Sequence, residues 1–274
     1  MYTKPLSDVR KADPAVAGGK GASLGELEAA YFPVSPGFVV TTDACRKFRR
    51  APTDAFKREV LAAFDGLGAT RVAVRSSATA EDGKDASWAG QFDTFLNVTR
   101  DALLQRVQDC WASALSDHVR AYAEGRSKDS RELPVAVVIQ KMVNSEVSGV
   151  AFSVNPVNRS HDQIMIEAVY GLGEILVQGK VTPDNYVVDK SSLQITSTYV
   201  TTKLLMCAYE DGRNAEHEVP AGLRNVSCLS NEQVTQLSQL VINIEQHFSA
   251  PQDIEWALER GHFYIIQSRP ITTL

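Results

Sequence analysis

An α+β fold is the class this sequence predicts, on three observations. Helical and strand patterns are mixed along the chain without the regular βαβ cadence of a doubly wound sheet. The middle of the chain carries β-rich runs in succession, Val135–Ile139, Val147–Phe152 and Ile164–Ile166, separated by turn residues. The last segment shows two strand patterns around Arg260-Gly261. With 274 residues, 44% apolar and 22% charged, the composition is that of a folded domain and excludes disorder, collagen or a coiled coil.

The elements follow in order. Gly18-Gly-Lys-Gly21 opens a short helix carrying Leu24, Leu27 and Tyr31 at helical spacing, which Pro33 and Pro36 end. A second helical stretch, Thr42 to Phe64, is interrupted at Pro52. Val72-Ala-Val74 reads as a strand entering a loop of small and polar residues, Arg75 to Gly83. Phe92 to Val98 is another strand, and Thr99 can cap a helix with Leu103, Val107, Cys110, Trp111, Ala114 and His118 on one side. Past the central strands, Gly171-Leu-Gly173, with Glu167 and Glu174, is a turn, and Asn185–Val188 and Leu193–Val200 are β-rich. Ser230 and Gln233 form a capping box for a helix presenting Val234, Leu237, Val241, Ile244 and Phe248.

Charge and cysteine usage exclude several functions. A net charge of −5 repels phosphate backbones on average, so no nucleic-acid partner is expected. The four cysteines, Cys45, Cys110, Cys207 and Cys228, form no CxxC, hence no zinc cluster or dense disulfide framework. The first residues, Met1 to Arg10, lack a signal-type apolar core, and no apolar run is of membrane-spanning length. A cytoplasmic protein is the expectation. The five histidines occupy no metal spacing and read as structural or exposed.

The terminal hairpin says more. A two-residue turn at Arg260-Gly261 would place Glu255 against Ile266 and send Gln267 to the other side. A three-residue loop (Glu259, Arg260, Gly261) with a bulge would put Ile254, Trp256, Leu258, Tyr264 and Ile266 on one apolar face. Asp253, Glu255, Gln267 and Arg269 then share the other face, and this register is the one we adopt. Two carboxylates, an amide oxygen and a guanidinium suit a magnesium-bound polyphosphate, since Mg²⁺ takes hard oxygen ligands and Arg grips phosphate bidentately. The same pattern also fits an edge hairpin with ordinary surface charges. Lys20 in its glycine-rich turn and Arg75 at a strand end are further anion-site candidates. The first is neither a Walker A loop nor a dinucleotide fingerprint, and taken alone it is better explained as a helix-initiating turn. For Arg75 the other reading is a plain surface arginine.

Taken together, a run of motifs resembles a known family. Gly18-Gly-Lys-Gly-Ala-Ser-Leu-Gly-Glu-Leu27, Pro36–Thr42, Val74-Arg-Ser-Ser-Ala-Thr-Ala-Glu-Asp82 and Ala89–Val98 are similar to the ATP-binding domain of phosphoenolpyruvate synthase and pyruvate phosphate dikinase. So are Gln140-Lys-Met-Val143, Ser148–Phe152, Glu167–Glu174, Lys180–Asp184, Asp253-Ile-Glu-Trp256 and Gln267-Ser-Arg-Pro-Ile271. The ending looks closest to the rifampicin phosphotransferase branch. The resemblance implies an ATP-grasp fold over residues 1–274, two lobes (about 1–143 and 144–274) clamping ATP and Mg²⁺. It implies that Lys20, Arg75 and Arg269 contact phosphates and do the catalytic work. Gln91 lies near the site, and Gln140, Lys141, Met142 and Val143 hold adenine, partly through backbone groups. Glu255 and Gln267 are the implied metal ligands, with Asp253 in support.

The family's acceptor signature, Gly-Gly-x-Thr/Ser-x-His, is absent, so neither a phosphohistidine domain nor an acceptor-binding domain is expected in this chain. The function implied is activation of Mg·ATP for phosphoryl or pyrophosphoryl transfer to a histidine on another domain or chain. A stand-alone kinase or ligase acting on a small molecule, or a nucleotide-sensing module, are the alternatives.

Overall fold

The computed structural model describes residues 1–79, 93–113 and 134–272. The chain divides into two units, Met1–Met142 and Val143–Leu274, and its architecture is α+β.

The first unit is built on a five-stranded antiparallel sheet of order β1-β2-β5-β3-β4. Its strands are β1 (Thr3–Pro5), β2 (Gly37–Val40), β3 (Val72–Ala78), β4 (Thr94–Val98) and β5 (Val135–Lys141). Because side chains alternate along a strand, the two faces of β3 do different work. Val72, Val74 and Ala78 join Val137, Ile139, Phe38 and Val40 in one core. That core is covered by α2 (Thr42–Phe48), α3 (Asp54–Gly66) and α4 (Arg100–Ser113), where Phe48 stacks on Phe56 and Phe56 on Trp111. The opposite face, carrying Arg75 and Ser77 of β3 and Val138 and Gln140 of β5, lies toward α1 (Pro14–Ala29).

Several expectations change here. The first helix begins at Pro14, four residues before the glycine run, and Gly18 is a kink within it (φ 70°). Tyr31 is outside the helix. It occupies the left-handed C′ position of a Schellman motif, with Phe32 N donating to Leu27 O (3.0 Å) and Tyr31 N to Glu28 O (3.1 Å). The helix therefore stops before Pro33. Arg75 to Ala78, read as loop, continue β3, because ladder bonds to β5 hold this polar stretch extended. Gln91, Phe92, Ala114 and His118 lie outside the described residues.

The second unit is a six-stranded antiparallel sheet of order β13-β12-β6-β7-β8-β9. Its strands are β6 (Val147–Phe152), β7 (Gln163–Tyr170), β8 (Asp184–Asp189), β9 (Ile195–Tyr199), β12 (Gln252–Glu259) and β13 (His262–Pro270). A two-stranded sheet pairs β10 (Leu205–Glu210) with β11 (Arg213–Glu218). That hairpin was not expected; Asp211-Gly212, both at positive φ (50° and 82°), makes the two-residue turn. The short helix α5 (Glu174–Val177) follows the Gly171–Gly173 turn, and α6 (Asn231–Phe248) packs on β7, β9 and β12. The expected capping box starts α6: Gln233 N donates to Ser230 Oγ (3.3 Å) and Ser230 N to Gln233 Oε1 (2.9 Å).

Helix α6 closes one face of the sheet through Val234, Leu237, Val241 and Ile244. Ile164, Ile166, Tyr186, Val188, Ile254 and Trp256 on the sheet are correspondingly buried. Their neighbours Val150, Phe152, Glu167, Asn185, Val187 and Glu255 point to the other face and are half-exposed. Asp184 ties the sheet to its connections. Its carboxylate accepts from Thr201 N (2.9 Å), Cys228 N (2.8 Å) and Lys203 Nζ (2.7 Å), all buried.

Candidate functional site

In the second unit the terminal hairpin gathers the expected residues, by a different route from the one its sequence suggested. The turn is the two-residue one, Arg260-Gly261, with Glu259 opposite His262. The extra residue sits in mid-strand: the register shifts between Glu255 and Trp256, so Trp256 faces Ile265 whereas Glu255 faces Gln267. Ile266 is the bulged residue, which restores the alternation a plain two-residue hairpin would have lost. The apolar face accordingly holds Ile254, Trp256, Leu258, Phe263 and Ile265, in place of Tyr264 and Ile266.

Asp253 opposes Arg269, and Glu255 opposes Gln267, on one face. Directly opposed side chains start about 5 Å apart at Cβ, so one carboxylate and one amide oxygen can reach a common cation. Arg269 donates to Asp253 Oδ2 through Nε (2.7 Å) and Nη2 (2.5 Å). Burial pushes the Asp253 carboxyl above its ordinary range, opposed by the Arg269 guanidinium and reinforced by Glu255.

The same face extends across the sheet. Glu255 is opposite Val150, Val150 opposite Glu167, Glu167 opposite Asn185 and Asn185 opposite Tyr199. Glu167, read from sequence as part of a turn, is therefore a third carboxylate of this face. It stands two strand spacings, roughly 10 Å, from Glu255. Its carboxyl is raised by burial and by the nearby Asp253 charge. No local pattern reveals this, because it rests on the register of two separate strand pairs, β12 with β6 and β6 with β7.

In the first unit Lys20 is 8% exposed, and its Nζ donates to Ser76 O (3.0 Å). The turn that carries it is fastened to β3: Gly21 N donates to Ser77 Oγ (3.0 Å), which donates to Ala17 O (2.8 Å). Gly18 fits only without a side chain, since a Cβ there would lie 2.2 Å from Ser77 O. Arg75, expected at a strand end running into a loop, is 6% exposed within β3, on the face it shares with Gln140. Lys20, Arg75 and Gln140 are thus brought to the α1 side of one sheet. Gln140 is buried, with Nε2 donating to Ser35 O (3.3 Å) and Oε1 accepting from no protein group among the described residues. Lys141 points to the opposite side and is exposed. Its backbone is engaged at both ends, N–H to Pro36 O (2.8 Å) and carbonyl from Ser35 Oγ (2.6 Å), and Met142 N–H donates to Arg71 O (3.1 Å).

The donor set suits magnesium better than a transition metal. Among the described residues no three His, Cys, Asp or Glu converge as a metal cluster. A single carboxylate with an amide oxygen is the sparse, all-oxygen set that leaves Mg²⁺ positions for phosphate and water.

The second unit thus presents a carboxylate and an amide oxygen on one face, and the first unit, taken by itself, holds two buried cationic side chains, Lys20 and Arg75. Residues 50–274 match the family described as pyruvate phosphate dikinase, AMP/ATP-binding domain, and the chain belongs to this family. Family membership carries the ATP-grasp class that the resemblance implied.

The chain is 37% identical to a probable phosphoenolpyruvate synthase of Methanocaldococcus jannaschii, over 98% of its own length and 26% of that protein's. It is 39% identical to that of Archaeoglobus fulgidus (98% and 41%). An uncharacterized phosphotransferase, YvkC, of Bacillus subtilis is 35% identical (94% and 34%). The chain thus spans between a quarter and under half of the relatives it matches. These relatives do not single out the rifampicin phosphotransferase branch. A solved D-alanine–D-alanine ligase from Bacillus anthracis matches 92% of the chain at 9% identity with a TM-score of 0.39, too distant to carry an argument.

Proposed function

We propose that the chain binds Mg·ATP and activates it for transfer, as the ATP-binding part of a dikinase-type phosphotransferase. The observation that carries this is the bulged register that sets Glu255 opposite Gln267 beside the Asp253–Arg269 pair. Glu255 and Gln267 would hold Mg²⁺, which when bound neutralises phosphate charge. Arg269, oriented by Asp253, would present its remaining guanidinium donors to a phosphate. Lys20 and Arg75 would contribute positive charge from the first unit, and Gln140 to Val143 would meet the adenine, with Gln91 near the site. Phosphoryl transfer asks the protein for alignment and charge neutralisation more than covalent help, and these residues are of the types required.

The acceptor would be a histidine on another domain or chain, in keeping with relatives more than twice as long. Four free cysteines, all buried, agree with a reducing, cytoplasmic setting, and no helix among the described residues is long and apolar enough to cross a membrane.

The test is the product nucleotide. The chain is incubated with Mg²⁺, ATP labelled at the β and γ positions, and the histidine domain of a matched phosphoenolpyruvate synthase. AMP, with label on the histidine domain, is the expected result. ADP as sole product, or no transfer, would overturn it.

A further inference from the structure

The face that carries Glu255 and Gln267 opens, on the other side of β6, into a cavity of about 460 Å³ that the nucleotide reading does not use. Its polar lining is Asn155, Glu167, Thr182, Asn185 and Tyr199. Its apolar lining is Val157, Met165, Pro183 and Val187. Asp253, Glu255, Gln267 and Arg269 are not among these residues, and neither is any lysine or arginine.

That chemistry selects a ligand class. A phosphate or carboxylate would meet the Glu167 carboxylate with no cation to offset it, so an anion is disfavoured. A neutral or cationic group bearing N–H or O–H donors finds the Glu167 carboxylate and the oxygens of Thr182, Asn185 and Tyr199, while Asn155 is engaged with Val157 N and Gln163. A small ring or aliphatic body finds the four apolar side chains, the usual division of labour in a small-molecule site. Position adds to this. Glu167 lies in the same cross-strand row as Glu255, one intervening strand away, so a group seated over it stands about 10 Å from the proposed cation. Val157 and Tyr199, both largely exposed, form the rim.

The geometry points to this cavity as a second-ligand subsite, taking an uncharged or cationic hydrogen-bond-donating organic group, with Glu167 as its acceptor. At about 10 Å the group is too far from the cation to supply the atom that attacks phosphorus, so the subsite would hold a second ligand beside the nucleotide and not the reacting acceptor. The assignment rests on the Mg·ATP reading for its role and on the lining alone for its ligand class.

Imidazole and inorganic phosphate are suitable probes, one of each charge type, titrated separately into the ¹⁵N-labelled chain. Imidazole should move the amide signals of Glu167, Asn185, Val187 and Tyr199 saturably, and phosphate should leave them in place. Val187→Trp, which fills the cavity from an open strand face, should weaken imidazole at least about tenfold while Mg·ATP affinity stays within about twofold. Val187→Thr, of similar size, should retain both and serves should the tryptophan variant misfold. Phosphate moving the cavity signals, imidazole leaving them unmoved, or Val187→Trp weakening Mg·ATP as much as imidazole would overturn the assignment. Wild-type chain that binds imidazole in the cavity yet binds no Mg·ATP would instead overturn the functional reading and leave the ligand class standing.

Discussion

Gly149→Ala should be among the most damaging single-methyl additions in the second unit. Gly149 lies in β6 between two paired strands, opposite Ala168 on one side and Trp256 on the other. A Cβ built there falls 1.8 Å from Glu167 O and 2.8 Å from the Trp256 ring carbon Cζ2. The first obstacle is backbone in a ladder and the second is a ring 1% exposed, so neither can swing aside. The indole covers the space that a side chain on β6 would otherwise occupy, as aromatic residues do opposite strand glycines. Overpacking a core costs about 1–3 kcal/mol, and a clash with backbone belongs at the top of that range. For a unit of Val143–Leu274 that is a fall of roughly 10 °C in Tm. Thermal unfolding by circular dichroism reads the size of the change. Hydrogen exchange of the β6 and β7 amides reads its place, which should centre on Glu167. A variant within about 0.5 kcal/mol of wild type, below what overpacking costs, would refute the reasoning.

Three further outcomes follow from individual residues. Tyr31→Gly should stabilise the first unit by about 0.5–1 kcal/mol, seen as a Tm rise of roughly 2–4 °C, because Tyr31 is 97% exposed and pays for a left-handed backbone (φ 62°) that glycine adopts freely. Lys203→Met should cost about 3–5 kcal/mol by leaving the Asp184 carboxylate buried without its cation, and adding Asp184→Asn should recover much of it in urea titrations. Glu167→Gln should stabilise the ligand-free chain in a pH-dependent way. The folded state raises the Glu167 carboxyl, so the stability this group contributes is present below the ordinary value of 4.5 and lost as pH rises through the raised one. The Tm difference between variant and wild type should therefore grow from about pH 4 to pH 7, and a constant difference would show that Glu167 is not the group responsible.

What the sequence made legible follows the range of the interactions involved. The capping box of Ser230 and Gln233 is a contact within one turn and was readable. So was the apolar stripe of α6. The terminal hairpin was half readable: which four polar side chains share a face followed from alternation, but the placing of the extra residue did not. A bulge at the loop and a bulge at Ile266 put the same four polar side chains on one face and differ only in which apolar residues of the last strand face the core, so the polar residues do not choose between them. Arg75 was read at a strand end, running into a loop, because the residues after it are small and polar; that the strand continues through Ala78 and buries Arg75 depends on β5 pairing beside it, far away in sequence. Tyr31 took the place where glycine is usual, so its helical spacing misled. The Asp211-Gly212 hairpin was signalled locally by two residues that favour positive φ, and the signal went unused. Glu167 had no local signal.

Magnesium-dependent nucleotide binding tests the account most directly. Calorimetric titration of ATP into wild type should give a markedly tighter dissociation constant with Mg²⁺ than with a chelator. In the Glu255→Ala/Gln267→Ala double variant that difference should shrink by at least about tenfold, with binding in chelator little changed. A double variant that keeps the full magnesium increment would contradict the claim that these two side chains, paired across the bulged ribbon, hold the cation.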